Sequence, residues 1–449
     1  MNQNFYLPLS RAFQNEFDQA AGTGAFNFVE FHNRIEPLFQ RLGFREPQKH
    51  GVENILIIRL DVMGDFIMTS GFIRELRANY PFARITLLVS DYIYPLAELC
   101  PYVNEVLHFD PQTNEGIMQL LKKTAEFASD QLWHRHFSMS FCVQPRGYKL
   151  PSIFMSYFSG AAERIGYIYP ERQSDLIKLF LNRALPLPTD IVHEALLPLH
   201  VLSSIGLRVQ STDLELWYDA EDILTVRQLL KDVSPDKILI AVGLGSGEGN
   251  RKYPVKQYLT AFREILSRSK RETLMIIGGK KELNDARFMQ ENLPSDRIIN
   301  LVDKLSLRGT AAAITMSDIY IGNATGVMHM AAAAHVPVIT VYREARDRGD
   351  RMVSISQITE YYQFAPYQTL SVALRPDTPL GECKQLTIGC KESTSHCIAQ
   401  VPPDEIVRAY SAIRYILWNK PPKHEKYSVC NRSHVAIIRR SQQRLNMHY

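Results

Sequence analysis

One alternation runs twice through this chain: a short apolar run rich in β-branched residues, then a longer stretch with apolar residues at helical spacing. Runs of that length, apolar throughout, belong to strands buried on both faces of a parallel sheet, and parallel strands need helical crossovers. The fold class is therefore α/β. In the first series residues 55–60, 85–89, 106–109 and 139–143 read as strands, with helical patterns over 66–80, 92–99 and 116–132. A second series opens after the charged stretch 219–236, with strands at 238–243, 273–277, 298–301, 319–321 and 337–341 and a helix over 254–266. The expected organisation is two Rossmann-like domains, 51–225 and 226–401. A helical extension over 1–50 precedes them, and a segment over 402–449 follows, beginning with a helix and ending in a basic, loosely held tail from Lys420. In the extension Phe28, Phe31, Ile35, Leu38, Phe39 and Leu42 share one helical face.

Composition narrows the class further. With 45% hydrophobic and 22% charged residues in 449, the chain has no bias toward disorder or fibre. A net charge of +4 gives no argument for nucleic acid as a partner. No apolar run reaches the roughly 18 residues that span a bilayer, and the start Met1-Asn-Gln-Asn-Phe-Tyr6 lacks the pattern of a signal peptide. Six cysteines fit a reducing compartment. The expectation is a cytoplasmic protein, with basic residues of the amino-terminal half available for peripheral attachment to the inner membrane face.

Chemistry concentrates in four loops. Ile321-Gly-Asn-Ala-Thr-Gly-Val-Met-His-Met-Ala-Ala332 reads as a strand end, a tight turn over 322–326 and a helix start. Free N–H groups and the positive end of the helix dipole there suit a diphosphate, and His329 adds a hydrogen-bond donor; a purely structural turn is the alternative. Gly243-Leu-Gly-Ser-Gly-Glu-Gly249, with Arg251 and Lys252 after it, reads as a phosphate loop or as a surface loop. It has neither the Walker pattern nor the dinucleotide spacing. Glu282, following Ile277-Gly-Gly, is placed to bind ribose hydroxyls or to favour a helix start. Asp61 and Asp65 flank Gly64 at the exit of the first strand, where Asp65 reads as a helix cap, a general base, or both.

The ordered set of Ile57-Ile-Arg-Leu-Asp-Val-Met-Gly-Asp-Phe-Ile-Met-Thr-Ser70, Tyr102–Val106, Ser159–Gly166, Ser306–Thr310 and 321–332 resembles glycosyltransferase family 9, the lipopolysaccharide heptosyltransferases and their relatives. The resemblance runs from about Asn54 to Leu417. It implies the GT-B fold, two Rossmann-like domains facing a cleft, with the final helix returning to the first domain. It further implies an inverting transferase without a catalytic metal, taking ADP-heptose or another nucleotide-diphosphate sugar as donor and a glycan or glycolipid as acceptor. By the same resemblance Asp65 is the general base; Ser246, Gly247, Lys252, Glu282, Thr325, Gly326 and His329 meet the donor; Asp61 and Gly64 lie toward the acceptor. One position departs. Ala324 stands where the family signature has an aspartate, which puts the donor sugar in question. A sugar transferase acting on protein, and a nucleotide-sugar binder that does not catalyse, are the other readings. Cys383, Cys390 and Cys397, with six residues between successive members, match no common zinc spacing and read as buried thiols, with His396 the only further ligand nearby.

Overall fold

The apolar runs at 55–60 and 238–243 become inner strands of two separate sheets, because a strand buried on both faces must also have neighbours on both edges. The computed structural model of the protein describes residues 6–23, 26–46, 53–112, 116–144, 150–168, 174–191, 193–346, 360–385, 390–418, 429–432 and 435–438. Packing divides the chain into a unit of Met1–Val62 with Gly71–Thr212 and a unit of Met63–Ser70 with Asp213–Tyr449.

In the first unit β1 (Asn54–Arg59), β2 (Arg84–Val89), β3 (Glu105–His108), β4 (Met139–Cys142), β5 (Glu163–Ile168) and β6 (Arg183–Pro186) form one sheet in the order β3-β2-β1-β4-β5-β6. Every pairing is parallel. The last two strands were not among the apolar runs: β5 opens on two charged residues, and β6 is a short edge strand with no buried residue. Among its described residues the extension holds two helices, α1 (Leu7–Thr23) and α2 (Phe28–Arg41). Asn27 caps α2, its side chain accepting from the N–H groups of Val29 and Glu30.

The expected helical face is buried: Phe31, Ile35 and Phe39 have almost no exposed surface. Phe13 of α1 sits among the rings of Phe17, Phe31, Phe39, Trp133 and Phe158, edge-on to Phe158 at 5.2 Å. Trp133 is fixed in turn by its Nε1–H, which donates to the Phe158 carbonyl at 2.7 Å. The extension therefore shares its core with the segment around 133–158. Arg45 closes the cluster. Its guanidinium lies 4.2 Å from the Phe39 ring centre, pairs with Glu36 at 3.1 Å and donates to the carbonyls of Tyr157 and Ala161. Burial pushes the Glu36 carboxyl up, but Arg45 and Arg164 outweigh it and leave the group below its ordinary value.

In the second unit β7 (Tyr218–Asp219) pairs antiparallel with Val435–Ile438, which pairs with Val429–Arg432, so part of the basic tail joins a small sheet. The main sheet holds β8 (Ile238–Gly243), β9 (Glu272–Ile277), β10 (Ile298–Asn300), β11 (Ile319–Asn323), β12 (Val338–Val341) and β13 (Ser371–Leu374), ordered β10-β9-β8-β11-β12-β13. All its pairings are parallel. The final helix is Pro403–Trp418. Its Ile406, Val407, Tyr410 and Ile413 are in the second unit's own core with Tyr258 and Phe262, and Tyr410 donates to Glu272 at 2.8 Å. Among the described residues no helix is long and apolar enough to cross a membrane.

Phe13→Ala should lower unfolding free energy by about 3–5 kcal/mol, whereas Phe82→Ala, at a fully exposed ring, should change it by less than about 0.5 kcal/mol; denaturant titration of both variants checks this. The depressed Glu36 carboxyl gives a second expectation. Its stabilising contribution is fully present above the unfolded value, near pH 4.3, and is lost as pH falls through the folded value. The stability gap between the wild type and Glu36→Gln, measured by denaturation at a series of pH values, should therefore narrow on acidification.

Candidate functional site

Four loops leave the second sheet at one edge. β8 and β11 are its middle strands, with β9 and β10 beyond β8 and β12 and β13 beyond β11, so the crossovers diverge and leave a switch point. Open α/β sheets bind ligands at such a point. Register sets Ile277, Gly243, Gly322 and Thr340 level across β9, β8, β11 and β12. The loops bearing Glu282, Ser246, Thr325 and Arg343 therefore start side by side.

Glycine is required at 243 and 322 because the Tyr320 hydroxyl occupies the space: a Cβ would fall 2.2 and 2.3 Å from it, respectively. Asn323, read from sequence as part of the turn, is the last residue of β11 and fully buried. Its Oδ1 accepts from the Tyr253 N–H at 3.0 Å and the Tyr258 hydroxyl at 3.1 Å. Its Nδ2 donates to the carbonyls of Leu244 at 3.0 Å and Gly245 at 2.9 Å. A carboxamide has two donors and two lone pairs to offer, and all are used. One side chain thus ties the start and the end of the glycine-rich loop to β11. Burial raises the hydroxyl pKa values of Tyr253, Tyr258 and Tyr320, which keeps all three as donors at neutral pH.

The loop itself is braced by charge. Arg343, just past β12, donates to Asn250 Oδ1 at 2.6 Å and pairs with Glu248 at 2.9 Å. Lys252 pairs with Asp285 at 2.5 Å while keeping 34% of its side chain exposed. Ser246 Oγ accepts from the Glu248 N–H at 3.3 Å, and Gly247 faces open space. Glu282 Oε2 accepts from the Gly279 N–H at 2.9 Å, and its other carboxylate oxygen packs where a Cβ on Gly245 would lie, 2.4 Å away. The helix-start role of Glu282 is thus realised, and the same carboxylate faces the glycine-rich loop.

Thr325, extended, is the N-cap of helix Gly326–Ala333, whose first N–H groups point toward the same edge. His329 is buried within this helix. Helix α3 (Met63–Asn79) contributes its first turns to this unit. A Cβ on Gly64 would stand 2.7 Å from His329 Cδ2, and one on Gly326 would stand 2.5 Å from Met63 Cε, so each glycine makes room for a side chain of the other helix. Gly64 lies against His329. Asp65 is half-buried in the first turn of α3, and the N-cap is Val62. The cap reading of Asp65 is thereby corrected: it sits in the first turn, inside the helix.

In the first unit a cleft of about 630 Å³ opens at the carboxyl edge of the sheet, lined in part by Asp61, Ser90, Tyr92, Gln112 and Gln144. Asp61 is committed within it: it pairs with buried Arg59 at 3.3 Å and accepts from Gln144. Cys383 and Cys397 are buried and Cys390 half-buried, all as free thiols. Reading them singly from their spacing missed what the fold does. One ligand atom from each of Cys383, Cys390, His396 and Cys397 lies within 4.8 Å of the others.

The structure brings Ser246, Gly247, Lys252, Glu282, Thr325, Gly326 and His329 to one sheet edge, with Gly64 and Asp65 beside the last three; Asp61 stays with the first sheet. Sequence reasoning missed Asn323 and Arg343 as bracing residues. A basic residue two positions after an apolar strand at 337–341 was the available signal for Arg343, whereas Asn323 was hidden inside an apparent turn. Asn323→Ala leaves two buried carbonyls and two donors without their partner, which should cost on the order of 3 kcal/mol or more, and thermal unfolding of the variant measures it.

Over residues 148–359 the chain matches the family model of Glycosyltransferase family 9 (heptosyltransferase). A curated Haemophilus influenzae protein named "Putative glycosyltransferase" is 23% identical over 336 residues, 70% of this chain and 90% of that protein. The family 9 glycosyltransferase of Veillonella parvula shares the fold at a TM-score of 0.63 and 17% identity, over 80% of this chain and 97% of that one. The E. coli ADP-heptose lps heptosyltransferase II shares it at 0.59 and 15%, over 80% and 98%. Two doubly wound parallel sheets of this kind make the GT-B arrangement. Together with the match over 148–359, they make the chain similar in fold and in part of its sequence to the family 9 glycosyltransferases.

Proposed function

We propose that this enzyme transfers heptose from ADP-heptose to a hydroxyl of a lipopolysaccharide-type acceptor with inversion, and that Asp65 is the general base. The observation that carries the reading is the meeting of α3 with the switch-point helix. Gly64 packs on the His329 ring and Gly326 on the Met63 side chain, which sets the Asp65 turn beside the helix that Thr325 caps. The proposal supplies a direction for the chemistry. Asp65 takes the proton from the acceptor hydroxyl, that oxygen bonds to the anomeric carbon from the open face, and the bond from that carbon to the diphosphate oxygen breaks on the opposite face. A single displacement inverts the configuration.

The departing diphosphate gains negative charge, and oriented donors lower its energy without reorganising. The backbone N–H of Gly326, the His329 ring and the glycine-rich loop at Ser246–Gly247 are the proposed donors, with Lys252 turning from Asp285 toward the phosphate. Glu282 is assigned to the ribose hydroxyls. The acceptor is assigned to the cleft beside Asp61, and the reaction to the cytoplasmic side of a membrane that the enzyme meets peripherally. ADP-heptose is named because the E. coli relative is an ADP-heptose enzyme. Ala324 favours a second donor reading, since a methyl group there gives sugar hydroxyls no carboxylate to bind.

Turnover against a panel of nucleotide sugars and glycan acceptors tests the proposal. Asp65→Asn should lose about 10²–10⁴-fold in kcat and still bind donor, while Lys252→Met should mainly raise KM. Transfer from another nucleotide sugar would replace heptose but keep the base. Full activity in Asp65→Asn would end the assignment of Asp65, and donor binding without turnover on any acceptor would make the protein a binder.

A further inference from the structure

The reaction as proposed makes no use of the cysteine cluster that lies against the glycine-rich loop. We propose that Cys383, Cys390, His396 and Cys397 bind one zinc ion as a structural knot, and that this knot holds the segment 390–401 against the loop that takes the donor's phosphates.

The donor set and its dimensions both fit. Zinc bound tetrahedrally by thiolates and imidazole sets ligand sulfurs about 3.8 Å apart and sulfur from nitrogen about 3.6 Å apart. His396 Nδ1 lies 3.6, 3.4 and 3.5 Å from the sulfurs of Cys383, Cys390 and Cys397. The Cys383 and Cys390 sulfurs are 3.4 Å apart. Two backbone N–H groups already point at sulfur, Leu380 toward Cys397 at 3.4 Å and Lys391 toward Cys383 at 3.5 Å. Outer hydrogen bonds of this kind orient metal ligands and support their charge. A disulfide would use two of the sulfurs and leave the third and the imidazole without a reason to converge. Three thiols give up their protons on binding, and the imidazole binds neutral. With four protein ligands no position stays open for water or substrate, so the role is structural.

The neighbourhood gives the knot its consequence. Asn250 Nδ2 donates to the carbonyls of Cys390 at 3.0 Å and Glu392 at 2.7 Å. A Cβ on Gly249 would strike the Ser393 carbonyl oxygen at 2.1 Å, so the two backbones are in contact. Ser395 Oγ donates to the Lys252 carbonyl, Gln257 Nε2 to that of Ala399 at 2.9 Å, and the Tyr253 hydroxyl to that of Val401 at 2.6 Å. Gly249, Asn250, Lys252 and Tyr253 are thus all touched by the strap that the four ligands would close. Losing the ion should loosen the phosphate loop and leave the Asp65 turn as it was.

The test uses the full-length protein purified without an immobilised-metal step. Mass-spectrometric metal analysis should find about one zinc per chain and clearly less in Cys390→Ser and His396→Ala, and cobalt grown in should give the absorption of a tetrahedral thiolate site. Stripping the metal with a chelator should weaken ADP binding, read by calorimetry, at least about tenfold, and zinc should restore it. The donor arm rests on the proposed function, but the metal arm does not. Wild-type protein without metal, or with one equivalent of iron in place of zinc, overturns the zinc site. Metal that leaves without changing ADP affinity overturns the anchoring role. Should the zinc-loaded protein bind no ADP at all, the donor reading falls, and metal content in the two variants still decides the site. If Cys390→Ser does not fold, cobalt spectra of the wild type carry the decision.

Discussion

The second unit depends on one buried carboxamide. A switch point exposes the ends of two central strands, and the loops that leave them have backbone groups pointing inward, where water does not satisfy them. Asn323 meets that demand from the end of β11 by accepting at Tyr253 and Tyr258 and donating at Leu244 and Gly245. Because the bonds reach both ends of the glycine-rich loop, its tip can remain open at Gly247 without the whole loop wandering. An ordered loop with an open tip is what recognition of a flexible diphosphate requires, since the ordering entropy has been met during folding.

Charge at this edge follows the same logic. Lys252 and Asp285, Arg343 and Glu248, and Glu282 with the Gly279 N–H each satisfy one another. Partly exposed pairs of this kind add little to stability. Their effect is positional: each holds a charged group near the sheet edge at small energetic cost, so a ligand phosphate competing for Lys252 has only a weak, solvent-screened interaction to displace.

Much of this was legible in sequence, and the reasons are specific. Strands such as Ile55–Leu60 and Ile238–Gly243 declare themselves because burial on both faces removes polar residues. β6 and β13 did not, since edge strands with partly exposed residues lose that signature. Glycine-rich turns and the acidic residues beside them marked the loops that leave the second sheet, because backbone conformation and helix starts are written locally. Asn323 was misread for the opposite reason: its type favours turns, but its partners are about 65 to 79 positions away along the chain. The final helix showed its apolar face in sequence, yet nothing local says which core that face joins.

The cysteines make the same point in chemical form. Spacing motifs work for small zinc modules because those ligands sit on adjacent turns of one short element. Here His396 and Cys397 come from the start of a short 3₁₀ turn and meet Cys383 and Cys390 from elsewhere in the chain, so geometry is set by tertiary packing. A linear search sees three regularly spaced thiols and one histidine. The fold sees four soft donors around a point, supported by two N–H groups and bound on their other side to the loop from Gly249 to Tyr253. Convergence of that kind is costly to arrange by chance, because thiols and an imidazole gain little from one another without an ion between them, and that is why the cluster calls for a ligand more strongly than any of its members does.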